Sequence, residues 1–324
     1  MSFRDVLSQY EHEIRMMEDS LKGYLRSEVS LVPEISGHLI GSGGKRFRPL
    51  LLLISADLCG YRGDRRYPLS AVIEFIHTAT LLHDDVIDHA ETRRGKPAAN
   101  RVWGNTASVL VGDFLYSKSF QLMSGDGDLT VIDLISNTTN TMSEGEILQL
   151  QKCGDLDITE KEYLLVIEKK TAVLISAACA VGALIAGAPG AKVDAMAGFG
   201  MKLGTAFQLT DDTLDYVADE EEFGKAVGMD LREGKVTLPL IHTLRCCSPE
   251  EKRLIREVVR RSEGDGNAVG EITALITKYK GVDYALEKAR AYVNEAKPFL
   301  EAFEDSPPKR ALLAVSDYII DRKL

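Results

Sequence analysis

Two aspartate motifs stand out in the sequence. Asp84-Asp85-Val86-Ile87-Asp88 and Asp211-Asp212-Thr213-Leu214-Asp215 share the spacing D-D-x-x-D, and each closes a strongly apolar run, at 71–82 and 199–209. On a helix the first and last carboxylates fall on one face, with the middle one three residues from the last. Like charges so close repel, and an apolar setting raises the cost. A divalent cation removes the conflict. Mg²⁺ is commonly held by one or two protein carboxylates, with waters and substrate phosphates filling the rest of its shell. One copy would read as a solvated helix end. Two copies, each followed by a loop carrying cations, point to metal-assisted chemistry on a phosphorylated ligand. Calcium in an EF-hand does not fit, because the loop opened by Asp126-Gly127-Asp128 has Asn137 at its twelfth position.

The opposite charge comes from Gly43-Gly44-Lys45-Arg46-Phe47-Arg48-Pro49. Glycines leave backbone N–H groups accessible, and three cations in four residues before a helix make an anion site. It is no Walker loop, since position 39 is Leu39 and Arg46 follows the lysine. Further cations lie at Arg93, Arg94, Lys96 and Arg101 in the segment 89–101, and at Lys225 and Lys235 in the segment 218–237. His77, Lys169-Lys170-Thr171 and Gln208 carry little alone, because a lone helical histidine is usually structural and a lysine pair usually solvated. His77, His83 and His89 are six apart and cannot converge on zinc from one helix face.

These groups need a scaffold, and the 324 residues supply ample apolar material, 45% hydrophobic against 27% charged. The net charge of −10 argues against general nucleic-acid or anionic-membrane binding. Five cysteines without a C-x-x-C do not make a disulfide framework. The N-terminus lacks an apolar signal core, so a cytoplasmic protein is expected. Residues 172–191 carry no charge, but their Ala, Gly and Ser content suits a buried helix better than a membrane span. Helical periodicity runs nearly throughout: an apolar seam over 3–24, then stretches at 34–42, 48–59, 67–88, 105–123, 129–151, 159–186, 192–217, 237–246, 248–262, 267–279, 282–303 and 308–322. No β-hairpin with alternating flanks is evident. The expectation is an all-α bundle of ten or more helices in a single domain over 1–324.

Taken together, the motifs resemble the trans-polyprenyl diphosphate synthases, in the octaprenyl diphosphate synthase group. The resemblance covers essentially the whole chain. It rests on the 43–49 cluster, the His77–Arg94 segment with its aspartates, Gly145-Glu146-Ile147-Leu148-Gln149-Leu150, Lys170-Thr171, and Gln208 through Asp215. Thr210 and Ala226 depart from the usual pattern without removing a charge. The resemblance implies a single-domain isoprenoid synthase bundle around a central cavity. In it Asp84, Asp85, Asp88, Asp211, Asp212, Asp215 and Lys170 would be catalytic, with Asp84, Asp88, Asp211 and Asp215 as Mg²⁺ ligands. Lys45, Arg48, His77 and Arg94 would hold isopentenyl diphosphate. Arg93, Lys170, Thr171, Gln208, Lys225 and Lys235 would serve the allylic diphosphate, farnesyl diphosphate or similar. A homodimer is implied, with the seam at 3–24 and the Ala-rich 172–186 as apolar surfaces for a partner. No nucleic acid or stable membrane insertion is implied; peripheral membrane contact at product release is compatible with this reading.

Product length follows from position. Thr80 lies one turn before Asp84, with Ala79 beside it. A Phe or Tyr at either place would plug a growing chain, so these small residues predict a long linear product. The expectation is a product from C30 to C50; the resemblance implies C40, octaprenyl diphosphate, a quinone side-chain precursor, with geranylgeranyl diphosphate as the alternative. A class I terpene cyclase would need neither the second complete D-D-x-x-D nor the Lys45–Arg48 cations. A non-catalytic partner subunit could dispense with metal carboxylates, yet all six are present.

Overall fold

Apolar side chains at helical spacing bury themselves as expected, and the computed structural model, which describes residues 1–41, 44–217, 228–261 and 266–321, is helical almost throughout. In chain order the helices are α1 (Phe3–Gln9), α2 (Glu11–Tyr24), α3 (Leu31–Ile40), α4 (Phe47–Leu58), α5 (Arg66–Ile87), α6 (Ala99–Trp103), α7 (Asn105–Asp126), α8 (Leu129–Lys152) and α9 (Glu160–Ile167). A π-helical turn, Glu168–Ala172, leads into α10 (Val173–Ile185). Then come α11 (Gly190–Leu214), α12 (Met229–Arg232), α13 (Leu238–Cys246), α14 (Pro249–Arg261), α15 (Gly266–Lys278), α16 (Gly281–Ala296), a 3₁₀ stretch Lys297–Ala302, and α17 (Pro307–Asp321). The fold is all-α.

The residues group into two compact units. One comprises Met1–Thr139, Leu174–Gly200 and Phe299–Val315; the other Asn140–Val173, Met201–Pro298 and Ser316–Leu324. In the first, α5 is the central element. It is buried on nearly every side from Leu69 to Ala79, the mark of a helix enclosed by protein. It packs chiefly against α7, with α4 and α2 beside it. Burying Ile73 or Phe75 there contributes about 1.5–3 kcal/mol each. In the second unit, Tyr163 and Ile167 of α9 join Leu209, Leu238, Ile241, Ile255, Ile276 and Ala289 in one core.

Several expectations are corrected. The 3–24 seam is two helices broken at Tyr10, and its Phe3, Tyr10, Met17 and Leu21 are buried within their own unit. The uncharged stretch at 172–191 contains α10, whose side chains from Leu174 to Ala183 are buried. Most of the seam and nearly all of α10 are therefore taken up within the protomer, while Leu7, Ile14 and Tyr24 of the seam stay half-buried. No helix among the described residues is long and apolar enough to cross a membrane. A small antiparallel hairpin does exist: β1 (Thr92–Arg93) pairs with β2 (Lys96–Pro97). Its turn residues, Arg94 at φ 54° and Gly95 at φ 73°, both take the positive φ that a tight two-residue turn needs. With only two residues a side, it has no alternation to read from sequence. The expected helix at 159–186 is interrupted by the π turn, and the one at 282–303 tightens to 3₁₀ at its end.

Candidate active site

The first aspartate motif terminates α5, with Asp88 as its C-cap residue. Its three carboxylates do not share one face. Asp85 is fully buried and ion-paired to Arg93, whose Nε and Nη2 donate to Oδ1 at 2.8 and 2.6 Å. Asn100 Nδ2 donates to the Asp85 carbonyl at 2.8 Å, closing the end of the helix. Burial pushes the Asp85 carboxyl upward and Arg93 opposes that shift. Asp84 and Asp88 are half-buried, on the accessible part of the same turn. Arg93, expected at the allylic diphosphate, is thus engaged with Asp85.

Of the three cations after Gly44, the structure divides the work. Arg46 adopts φ 46° at the N-cap of α4 and is buried; it donates to Glu18 at 3.0 Å, Glu74 at 2.9 Å and the Ile40 carbonyl at 2.6 Å. It ties α2 and α5 together, and so leaves the anion site it was expected to join. Lys45 is exposed. Arg48, half-buried, lies 3.2 Å from His77 Nε2. Burial, with Arg48, Arg94, Arg93 and Arg46 around it, depresses the His77 pKa far below its ordinary value. The ring is therefore neutral, and its Nε2 accepts from Arg48. Arg94 crosses back to the start of this segment: a Cβ on Gly44 would stand 3.0 Å from Arg94 Nη1. Arg48, His77 and Arg94 thus belong to one neighbourhood, and Lys45 stands beside it in sequence, next to Gly44. Gly43 lies outside the described residues. Ala79 is fully buried, and Thr80 donates its hydroxyl to the His77 carbonyl at 2.8 Å.

In the second unit, Lys170 sits on the π turn. Its Nζ donates to Glu146 Oε2 and Gln149 Oε1, each at 2.7 Å. Gly145 makes this approach feasible, since a Cβ there would lie 2.5 Å from the Lys170 backbone nitrogen. Such π turns concentrate at functional sites. Helix α9 begins with a capping box: Thr159 Oγ1 accepts from the Glu162 N–H, and Glu162 Oε2 from the Thr159 N–H. That start sets Tyr163 on the buried face. Its hydroxyl donates to Asp212 Oδ2 at 2.5 Å, while Gln208 Nε2 donates to Asp212 Oδ1 at 2.6 Å. Thr171 Oγ1 donates to Gln208 Oε1 at 2.9 Å. Burial raises the Asp212 pKa, against the pull of those two hydrogen bonds.

Asp211, one residue away, is exposed. Asp215 lies just past the end of α11, where its carboxylate accepts from the Met229 and Asp230 N–H groups at 3.2 and 3.0 Å. Burial, then Asp212 and Asp215, push the Asp230 carboxyl well up. Lys235 pairs with Glu233 at 2.7 Å. Lys225 lies outside the described residues. Sequence reasoning gave no role to Glu146, Gln149, Tyr163 or Asp230. The capping box before Tyr163 was readable; nothing local marks Asp230.

No three His, Cys, Asp or Glu side chains among the described residues form a ready-made metal cage. The donor set nonetheless suits a hard cation, since Mg²⁺ needs only one or two protein carboxylates where phosphates and waters complete the shell. In the first unit Asp84 and Asp88 are half-buried; in the second Asp211 is exposed and Asp215 half-buried.

The family described as Polyprenyl synthetase matches residues 29–276. The chain belongs to that family. It is 38% identical over 322 residues to an octaprenyl diphosphate synthase of Haemophilus influenzae, covering 99% of this chain and 98% of the relative. It is 37% identical over 332 residues to a geranylgeranyl diphosphate synthase of Sulfolobus acidocaldarius, covering all of both chains. A polyprenyl synthase of Caulobacter crescentus, solved with calcium and isoprenyl diphosphate, superposes with a TM-score of 0.96 at 37% identity, over 100% of this chain and 98% of that one. This synthase is a chain-elongating trans-prenyltransferase. Its substrates are isopentenyl diphosphate and an allylic diphosphate, and the family uses a divalent metal.

Proposed function

We propose that this synthase makes octaprenyl diphosphate, C40, with Mg²⁺ as its metal, acting as one functional domain over residues 1–324. The observation that carries the length is the pair Ala79 and Thr80, small side chains on α5 one turn before Asp84. A bulky side chain there would stop growth after one or two additions.

Asp84, Asp88 and Asp211, with Asp215, are the carboxylates that would hold Mg²⁺, which when bound neutralises charge on the departing diphosphate. The allylic C–O bond breaks with its electron pair leaving on diphosphate. The isopentenyl double bond then supplies the pair for the new C–C bond, and the proton released passes to diphosphate. Lys170, Thr171, Gln208, Lys225 and Lys235 bind the allylic diphosphate. Arg93 supports the same site through Asp85. Lys45, Arg48, neutral His77 and Arg94 bind isopentenyl diphosphate. Asp85 and Asp212, both turned inward, orient their neighbours.

The enzyme is taken to work as a cytoplasmic homodimer. Helix α7 supports this, because Leu110 and Phe120 stand 62% and 43% exposed. Chromatography of products made from farnesyl and isopentenyl diphosphates tests the length. A C40 product supports the reading, and a C20 end product replaces it with the geranylgeranyl alternative. Cyclic hydrocarbon formed without isopentenyl diphosphate would overturn both.

A further inference from the structure

Tyr163 has no part in the substrate contacts assigned above, yet it joins a run of hydrogen bonds that converges on Asp212 from both ends. Its hydroxyl donates to Asp212 Oδ2 at 2.5 Å; the other oxygen, Oδ1, accepts from Gln208 Nε2 at 2.6 Å; and Gln208 Oε1 accepts from Thr171 at 2.9 Å. Both carboxylate oxygens of a buried aspartate are thereby held from two helices, α9 and α11. A carboxylate fixed at one oxygen only could swing about its Cβ. Fixed at both, it offers Gln208 a single acceptor position.

The orientation of Gln208 follows. An amide side chain has one acceptor end and one donor end. The Asp212 carboxylate accepts from the nitrogen, and the flipped amide would set its oxygen against that carboxylate; in the orientation so fixed, Thr171 donates to the amide oxygen. The second N–H of Gln208 is then aimed by the network, at a position only half-buried. We propose that Tyr163 is a positioning residue for the allylic diphosphate: its hydroxyl anchors Asp212, and Asp212 sets Gln208 and Thr171 in their receiving orientation. The inference rests on the assignment of Gln208 and Thr171 to the allylic substrate.

Tyr163→Phe keeps the ring in the core and removes only the donor. It should lower kcat/KM for the allylic diphosphate by about 10- to 100-fold, the size of loss seen when a hydrogen bond supporting a metal ligand is removed. KM for isopentenyl diphosphate should change by less than about twofold, and Tm by less than about 5 °C. In a Gln208→Ala background, where the amide to be oriented is gone, the same substitution should cost less than about twofold. An undiminished loss in that background would overturn the proposal, as would equal losses for both substrates. Should Tyr163→Phe not fold, Asp212→Asn carries the test: an allylic-specific loss supports the chain, and no loss or an equal one overturns it. If the wild-type protein itself fails to elongate an allylic diphosphate, the site assignment falls and the inference with it. If the wild type elongates and Tyr163→Phe loses nothing, only the inference falls.

Discussion

Glu146 holds the ammonium of Lys170 at 2.7 Å, and both side chains are largely enclosed. A lysine has four rotatable bonds and a strongly hydrated head, so it does not stay in one place unaided. The carboxylate of Glu146 and the amide oxygen of Gln149 together keep it in one orientation on the π turn. Lys170→Ala should therefore act on the allylic substrate and its ionisation, lowering kcat by about 10²-fold or more. Steady-state kinetics with the two substrates varied separately would show KM for isopentenyl diphosphate nearly unchanged.

Gly145→Ala should destabilise the protein. Its new methyl would meet backbone atoms of Lys169 and Lys170 at 2.5–2.9 Å, and backbone cannot move aside as a side-chain tip can. Overpacking of this kind costs about 1–3 kcal/mol. Chemical denaturation should show a lower midpoint with an unchanged slope.

Asp84→Ala and Asp211→Ala should each lower kcat by several orders of magnitude with the helical signal in circular dichroism intact. Neither side chain is buried, so removing it opens no core cavity. The lost stabilisation is of charge that develops in the transition state. Chelation of divalent metal should abolish wild-type turnover, and added Mg²⁺ should restore it. Near-normal kcat in either variant would sink the metal assignment.

Arg46 and Arg48, two residues apart, should behave oppositely. Arg46→Ala strips the partner from Glu74, leaving a buried unpaired carboxylate, and should cost about 3–5 kcal/mol of stability. Arg48→Ala should leave Tm nearly unchanged and raise KM for isopentenyl diphosphate. If Arg48→Ala moved only the allylic KM, the two substrate sites would have to be exchanged.

Ala79→Tyr should shorten the product by several five-carbon units. The alanine is fully buried beside Thr80, so a tyrosine ring has to occupy space or displace neighbours. Chromatography of the variant's products decides it, and an unchanged length distribution would move the ruler to another helix.

The helical fold and the polar inventory of the site were legible because both are local. The periodicity of α5 and the D-D-x-x-D spacing survive in the bare sequence. What the sequence concealed was direction. Asp85 and Asp212 carry the same charge as their neighbours, yet each turns inward to a partner outside its own helix, Arg93 in the hairpin just beyond in one case and Tyr163 on α9 in the other. Arg46 looked like Lys45 and Arg48 until Glu18 and Glu74 claimed it. The β1–β2 hairpin was too short to alternate. Each of these depends on which residues meet across the fold, and local pattern carries no such information.

The π turn between α9 and α10 has a consequence for phase. Tyr163 and Thr171 are eight residues apart. In a regular α-helix that interval leaves them roughly 80° out of step, since each residue turns about 100°. A π turn absorbs one surplus residue, so the interval behaves as seven and the mismatch shrinks to roughly 20°. Both hydroxyls can then reach one chain running through Asp212 and Gln208. The bulge works as a gear tooth of one residue. Deleting a single residue from 168–170 would give a smoother helix with the two residues seven apart and still in phase, whereas straightening the turn without a deletion would carry Thr171 off the face that Tyr163 shares.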